Sequence, residues 1–328
     1  MAIHPFTDIY RVRPTATSWK VPVFCNNDWV GIQLLDMVKE IGGGRAFDIA
    51  YGVPMCAWAG GRPSAIRQPL SEKELHRYFA AYADRDVTVA LTMSRLDVQS
   101  SQLSDPYCNL ILKVANQYNA QAIVVVDELA DYIREQYPNI ALIASLDKVM
   151  CELRTDYSVE LDYYRKLLER YDEIVIRCEA ALSNDLILPL QDVADRMEII
   201  VNQACMPDCQ FCHLHIASME ALNDPSKPAK QPYDCFYHSD AHDFETRIER
   251  SLMISESRIS WLANHGFTKM KIAGRNVPIP HLLNQLGMYI FEPTGVFRAV
   301  RTELSQRYRD ANEKAGGKIP PYALPTGL

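Results

Sequence analysis

The 328-residue chain has no apolar run long enough to cross a bilayer. Its first residues, Met-Ala-Ile-His-Pro-Phe-Thr-Asp, lack the charged-then-apolar layout of a signal peptide. A basic stripe is missing too. Lys and Arg number 34 against 41 Asp and Glu, a formal net charge of −7, so a dedicated nucleic-acid surface is not expected. There is no Gly-x-x-x-x-Gly-Lys-Ser/Thr, no His-Glu-x-x-His and no Gly-x-Ser-x-Gly, which removes the commonest phosphate-loop, zinc-protease and serine-hydrolase signatures. Gly42-Gly-Gly44 follows a helical pattern and precedes a strand, so it reads as a helix C-cap and turn rather than a phosphate loop. The composition is ordinary, 48% hydrophobic and 23% charged, and a cytoplasmic location is the expectation. In that compartment nine cysteines read as reduced thiols and ligands, not as a disulfide framework.

Three of those cysteines crowd into Cys205-Met-Pro-Asp-Cys209-Gln-Phe-Cys212, and Cys235 follows a loop's length later. The turn expected at Pro207 and Asp208 aims the thiols at one centre, where thiolates bind a soft metal. Cys-x3-Cys-x2-Cys spacing favours an iron–sulfur cluster; a structural zinc site more often pairs two Cys-x2-4-Cys knuckles, and only half of that pattern is present. Cys205, Cys209, Cys212 and Cys235 are therefore the candidate ligands. Cys25, Cys56 and Cys178 fall at predicted strand ends and are alternatives for the fourth position. Cys108 and Cys151 read as buried small hydrophobes. His213, His215, His238 and His242 cluster nearby, where loop hydrogen bonding is the expected role. The segment 213–243, with Pro225, Pro228 and Pro232, reads as the longest irregular stretch.

Short β-branched runs alternate with helical patterns: Val21–Cys25, Phe47–Tyr51, Val87–Thr92, Ala122–Val126, Ala141–Ala144, Glu173–Cys178, Met197–Val201 and Lys269–Ala273. Most are continuous apolar runs, as expected of parallel strands buried on both faces. Between them, Leu34/Met37/Val38/Ile41, Leu75/Tyr78/Phe79/Tyr82 and Ile111/Val114/Ala115/Tyr118 carry the helical period. Ser71-Glu-Lys-Glu74 spells a capping box, with Leu70 and Leu75 as a hydrophobic staple. Eight strands separated by helices predict a (β/α)8 TIM-type barrel over residues 21–290. Residues 1–20 precede it, and 291–328 form a C-terminal helical extension, with a helix from Val296 to about Arg309. A doubly wound sheet is the alternative fold, but no Gly-x-Gly-x-x-Gly follows the first strand.

In such a barrel the reactive groups sit at the C-terminal strand ends. Those positions carry Cys25-Asn26-Asn27-Asp28, Tyr51 with the Cys56–Arg62 loop, Ser94-Arg95, Asp127-Glu128 and Ser145 with Asp147-Lys148. Arg177-Cys178-Glu179, Asn202-Gln203 with the cysteine run, and Gly274-Arg275-Asn276 complete the ring. Asp127, Lys148 and Glu179 are the candidate proton handlers. Asn26, Arg95, Arg177, Asn202 and Arg275 are the candidate substrate binders. Arg275 stands out because its fork suits a carboxylate or phosphate, and Gly274 lets backbone approach a ligand closely. An ion pair from Arg275 to Glu179 or Asp127 is the structural alternative.

At Asn202-Gln-Ala-Cys205-x3-Cys209-x2-Cys212-x2-His215 and Lys271-Ile-Ala-Gly-Arg275 the chain resembles the collagenase-like U-type peptidase family. Asn139–Val149, with Ser145 and Lys148, resembles that family's fifth strand and its exit. The resemblance implies a barrel, and several members carry a four-cysteine 4Fe–4S cluster that supports oxygen-independent hydroxylation of ubiquinone precursors or RNA bases. It carries over Cys205, Cys209 and Cys235 as ligands; Cys212 stands where relatives have Arg, and the cysteine spacing differs. The expectation is an iron–sulfur oxidoreductase or hydroxylase acting on a small or nucleoside-like substrate, with an electron donor as partner. Cys205-x3-Cys209-x-Phe211-Cys212 also resembles the radical S-adenosylmethionine motif, although that motif normally follows the first barrel strand. A zinc-stabilised peptidase or binding barrel is the non-redox alternative.

Overall fold

The computed structural model of the chain describes residues 17–40, 44–153, 158–203, 205, 212–221, 251–275, 277–291, 296–320 and 322–325. Strands β1 (Ser18–Val21), β2 (Ile49–Gly52), β3 (Thr88–Met93), β4 (Gln121–Val124), β5 (Ala141–Ala144), β6 (Glu173–Val175) and β7 (Met197–Ile200) run parallel. A short antiparallel pair follows, β8 (Asn202–Gln203) with β9 (Leu252–Met253). Then β10 (Lys269–Lys271) inserts between β7 and β1. The result is a closed barrel of eight parallel strands, β1–β7 and β10, wrapped by helices: a (β/α)8 TIM-type fold. Closure pairs every barrel strand on both sides and leaves no edge to aggregate.

The sequence patterns account for much of this local structure. Ser71 caps the helix Glu72–Ala83: its hydroxyl accepts from the Glu74 N–H, and the Glu74 carboxylate accepts from the Ser71 N–H at 2.8 Å, a complete capping box. The helix Pro106–Gln117 starts on Asp105, whose carboxylate accepts from the Cys108 N–H at 2.8 Å, with Pro106 in the first helical position. Helices Asp28–Glu40 and Glu72–Ala83 bury Leu34, Met37, Val38, Leu75, Phe79 and Tyr82 against the sheet. Each such side chain contributes on the order of 1.5–3 kcal/mol through burial. The C-terminal extension is one helix, Val296–Lys314, longer than the run to Arg309 that periodicity indicates. No described helix is long and apolar enough to cross a membrane.

Four differences from the sequence expectation have physical causes. The first strand is Ser18–Val21, not Val21–Cys25: Pro22 has no N–H for the ladder, and the chain turns, with the Asn26 N–H donating to the Val23 carbonyl at 3.1 Å. The barrel therefore begins before residue 21. The sixth strand stops at Val175 because a short helix, Cys178–Leu182, starts directly behind it. Residues 212–221 are helical, so the stretch after the cysteine run is not irregular from its start. The β8–β9 pair was not legible in the pattern, since two-residue strands carry no period. Of the remaining cysteine region, Cys209 and Cys235, the side chains of Cys212 and His213, and His238 and His242 lie outside the described residues, as do Asn276 and Ile41.

Candidate functional site

Alternation along the strands puts one set of side chains inside the barrel. Trp19 and Val21 join the outer core, whereas Lys20 between them reaches inward. Glu198 of β7 meets it there, and Lys271 of β10 lies 3.1 Å from the same carboxylate. All three are buried. Burial alone would raise the Glu198 carboxyl, but Lys20 and Lys271 outweigh it and hold the group at about 2. Nearer the N-terminal end, Lys269 pairs with Glu173 at 2.5 Å. Towards the C-terminal end the lining turns apolar: Ala90, Ile123, Ile143, Val175 and Ile200 surround Tyr51 and Cys178, with Cys205 packed against them.

The mouth opens above this layer, and Arg275 is its dominant charge. Its guanidinium is buried and fixed by two neutral acceptors, the Thr92 hydroxyl at 2.6 Å and the Gly60 carbonyl at 2.5 Å. Among the described residues no carboxylate pairs with it, so the alternative of an ion pair to Glu179 or Asp127 does not form. The loop between β2 and the helix Glu72–Ala83 wraps the group. At Gly61, φ is +67° and a Cβ would stand 2.6 Å from Arg275 Nη2, so any side chain there would displace the guanidinium. Exposed Arg62 adds positive charge at the lip. Gly274, at φ +122°, turns the chain so that Arg275 points back across the barrel.

Three further groups face this cation. Tyr51 is buried, donates to the Ile272 carbonyl at 2.9 Å, and lies with its ring 4.8 Å from Lys271 Nζ. Burial raises its phenol well above the ordinary range, so it stays neutral. Burial lowers Lys271 and Arg275, with Glu198 partly offsetting the effect on Lys271. Half-buried Asp147 follows β5; burial raises its carboxyl, while Arg275 and Lys271 pull the other way. Among the described residues, the interior thus holds three buried cations, Lys20, Lys271 and Arg275, against buried Glu198 and half-buried Asp147. The charge imbalance is positive and points into the mouth.

The other candidate residues are committed to structural bonds. Asn26 donates to the Phe24 carbonyl and accepts from the Ala65 N–H, tying down the long loop. Asn202 makes a reciprocal pair with Ala273, donating to its carbonyl at 2.9 Å and accepting from its N–H at 2.7 Å. Arg95 pairs with Asp97 at 2.5 Å, and its Nη1 reaches the Ala57 carbonyl. Arg177 is buried against Glu160 at 3.0 Å, with Glu179 3.9 Å away on the same guanidinium. Lys148 and Asp127 stand 3.0 Å apart in a network between the outer helices, joined by Glu152, Arg170 and Tyr171. Of the Asp147-Lys148 pair, then, the Asp faces the mouth and the Lys faces away.

Sequence reasoning passed over Lys20, Glu198 and Lys271. A signal existed: charges on one alternating face of short strands whose other face is apolar, in Trp-Lys-Val, Met-Glu-Ile and Lys-Met-Lys, place charge inside a closed barrel. Cys205 is the one of the four candidate ligands whose side-chain placement is described. It sits at the mouth, half-buried, its carbonyl accepting from the Leu252 N–H at 2.9 Å. Cys178 lies in the same lining, its sulfur 2.7 Å from Gln203 Oε1. Cys205 thus packs against the apolar lining at the mouth end, in the same cluster as Cys178.

No protein-family model matches the chain, and no curated protein matches it in sequence. Solved structures match its shape. A U32 peptidase is 14% identical, over 82% of this chain and 97% of that one, with a TM-score of 0.47. A Galdieria sulphuraria protein assigned as a glycerophosphodiester phosphodiesterase is 9% identical, over 82% and 97%, with a TM-score of 0.41. A β-N-acetylhexosaminidase is 9% identical, over 96% and 81%, with a TM-score of 0.35.

Proposed function

We propose that this chain is an iron–sulfur barrel enzyme that binds an anionic small or nucleoside-like substrate at its mouth and supports oxygen-independent hydroxylation or a related redox transfer. The observation that carries the reading is Arg275: a buried guanidinium with no carboxylate in salt-bridge contact among the described residues, beside the lining that Cys205 joins. Buried charge without a counter-ion is costly, and a bound carboxylate or phosphate would supply one. Cys205 would be one ligand of a 4Fe–4S cluster, with Cys209, Cys212 and Cys235 as the other candidates. Such a cluster, when bound, supplies one-electron transfer.

The chain's own groups have defined tasks in this reading. Arg275 anchors the anion and Lys271 adds charge from below. Tyr51, neutral, keeps the floor apolar between them. Asp147, its carboxyl raised by burial, holds or releases a proton at its carboxylate oxygen within the field of Arg275 and Lys271. Asp127 and Lys148 take no part in this proton handling, since their bonds lie between outer helices.

Calorimetric titration of inorganic phosphate and of acetate tests the anion site. Losing one charge-assisted bond weakens binding by roughly 10- to 100-fold, so Arg275→Met should lose most of the wild-type affinity. Arg275→Lys, which keeps the charge but not the fork, should recover part of it. Equal binding by wild type and Arg275→Met, with both folded by circular dichroism, would remove the site.

A further inference from the structure

Lysines on β1 and β10 outnumber the carboxylates they meet inside the barrel. Lys269 and Lys271 project from the same face of β10, and Lys20 stands in register with Lys271 on the neighbouring strand β1. Lys269 is matched by Glu173. Lys20 and Lys271 converge on a single carboxylate, that of Glu198 on β7. Two ammonium groups that divide one counter-ion give up a proton more easily than either would alone. Loss of that proton leaves a neutral lysine beside an intact ion pair.

Position decides which lysine becomes neutral. Lys20 makes the closer contact to Glu198 and is 2% exposed, whereas Lys271 lies 3.1 Å from the carboxylate and is 7% exposed. Lys271 also ends β10 on the mouth side, its Nζ 4.8 Å from the Tyr51 ring centre in the apolar lining. Burial lowers the Lys271 ammonium from its ordinary value; Glu198 opposes this, and Lys20 and Arg275 add to it. Of the other titratable groups on this side, Tyr51 stays neutral and Asp147 faces the mouth from the end of β5.

We propose that Lys271 is an amine nucleophile that captures a small aldehyde or ketone bearing a carboxylate or phosphate, forming a Schiff base while Arg275 holds the anionic end. The Lys271 ammonium first releases a proton to water at the mouth. Its nitrogen lone pair then attacks the carbonyl carbon, and the C=O electron pair moves to oxygen. That oxygen takes one proton from the nitrogen and the one released earlier, and leaves as water. One ammonium and one carbonyl thus become one protonated imine and one water, with no oxidant or reductant. The imine keeps a positive charge beside Glu198, so the buried carboxylate never loses its counter-ion. The contact with Arg275 rests on the anion site proposed above; the amine's reactivity does not, since it comes from Lys20 and Glu198.

The test treats the full-length protein with glyoxylate and cyanoborohydride at pH 6 and maps carboxymethyl-lysine by peptide mass. Exposed Lys73 and Lys166 are then almost wholly protonated, and Lys271 should label at least about 10-fold faster than either. Labelling of Lys271 no faster than theirs, or none at all, would overturn the proposal whatever the variants do. Lys20→Met gives Lys271 sole use of Glu198 and should slow its labelling by about 10-fold in protein that circular dichroism shows to be folded. An unchanged rate there would overturn the shared carboxylate as the source of reactivity. Formaldehyde has no anionic end, so the ratio of glyoxylate to formaldehyde labelling at Lys271 should fall by roughly 10-fold in Arg275→Met. An unchanged ratio would overturn the assignment of an anionic ligand. Phosphate titration and iron content report on the proposed function separately: their failure beside fast formaldehyde labelling of Lys271 would count against that function and not against the amine.

Discussion

Glu198 offers the sharpest perturbation of the barrel interior. It is the buried counter-ion of both Lys20 and Lys271, and Glu198→Gln would leave two buried ammonium groups facing an uncharged amide. Breaking a buried ion pair from one side typically costs about 3–5 kcal/mol. The pH dependence follows from the carboxyl's pKa, about 2 in the folded barrel against an ordinary 4.5. A depressed carboxyl contributes stability above its unfolded pKa and loses it as pH falls through the folded one. That contribution is about 3 kcal/mol at pH 7 and about 1.4 kcal/mol at pH 3. Urea titrations of wild type and Glu198→Gln at pH 7 and pH 3 should therefore show a gap that narrows by about 2 kcal/mol at the lower pH. Adding Lys20→Met should recover part of the loss. A gap below about 1 kcal/mol at pH 7, or one that does not change with pH, would refute the argument that a paired carboxylate sits inside the barrel.

Three other perturbations separate structural from functional groups. Asn202→Ala removes both side-chain bonds to Ala273 and should cost about 1–3 kcal/mol in chemical denaturation, with the Ala273 amide losing hydrogen-exchange protection; unchanged protection would contradict the pairing. Lys148→Met cuts the outer network at Asp127 and Glu152 and should lower the melting temperature while phosphate affinity stays within about twofold; a large affinity loss would return Lys148 to the site. Asp28→Asn tests a buried carboxyl that burial raises well above 3.8, against hydrogen bonds from the Cys25 N–H and Tyr82. A raised carboxyl contributes stability below its unfolded pKa and loses it as pH climbs through the folded one. The Asn variant should accordingly gain on wild type between pH 4 and pH 8 in thermal melts, and a constant difference would contradict the assignment.

The barrel was legible because eight apolar runs each needed burial on two faces and were spaced by helical periods, and Ala141–Ala144 comes out as read. Strand ends were less legible, since Pro22 and the helix at Cys178 are local decisions that apolar runs do not record. At the site, sequence position alone could assign a residue to the mouth end but not to a direction. Asp147 and Lys148 are neighbours, yet a helical step sends one to Arg275 and the other to the outer helices. Asn202 reads in the sequence as a substrate binder and Ala273 as strand; the side-chain amide of Asn202 bonds both backbone groups of Ala273. That Arg275 lies at the mouth end was legible from its position just past the last strand. Its partners, Thr92 and the Gly60 carbonyl, were not, because they come from distant parts of the chain.

The proposed function puts an iron–sulfur cluster on Cys205 at the mouth, beside an anion held by Arg275. Iron, zinc and acid-labile sulfide measured together on protein purified without oxygen test it most directly. About four irons and four sulfides per chain are expected, falling sharply in Cys205→Ala. One zinc per chain with no sulfide, or no metal at all, would contradict it.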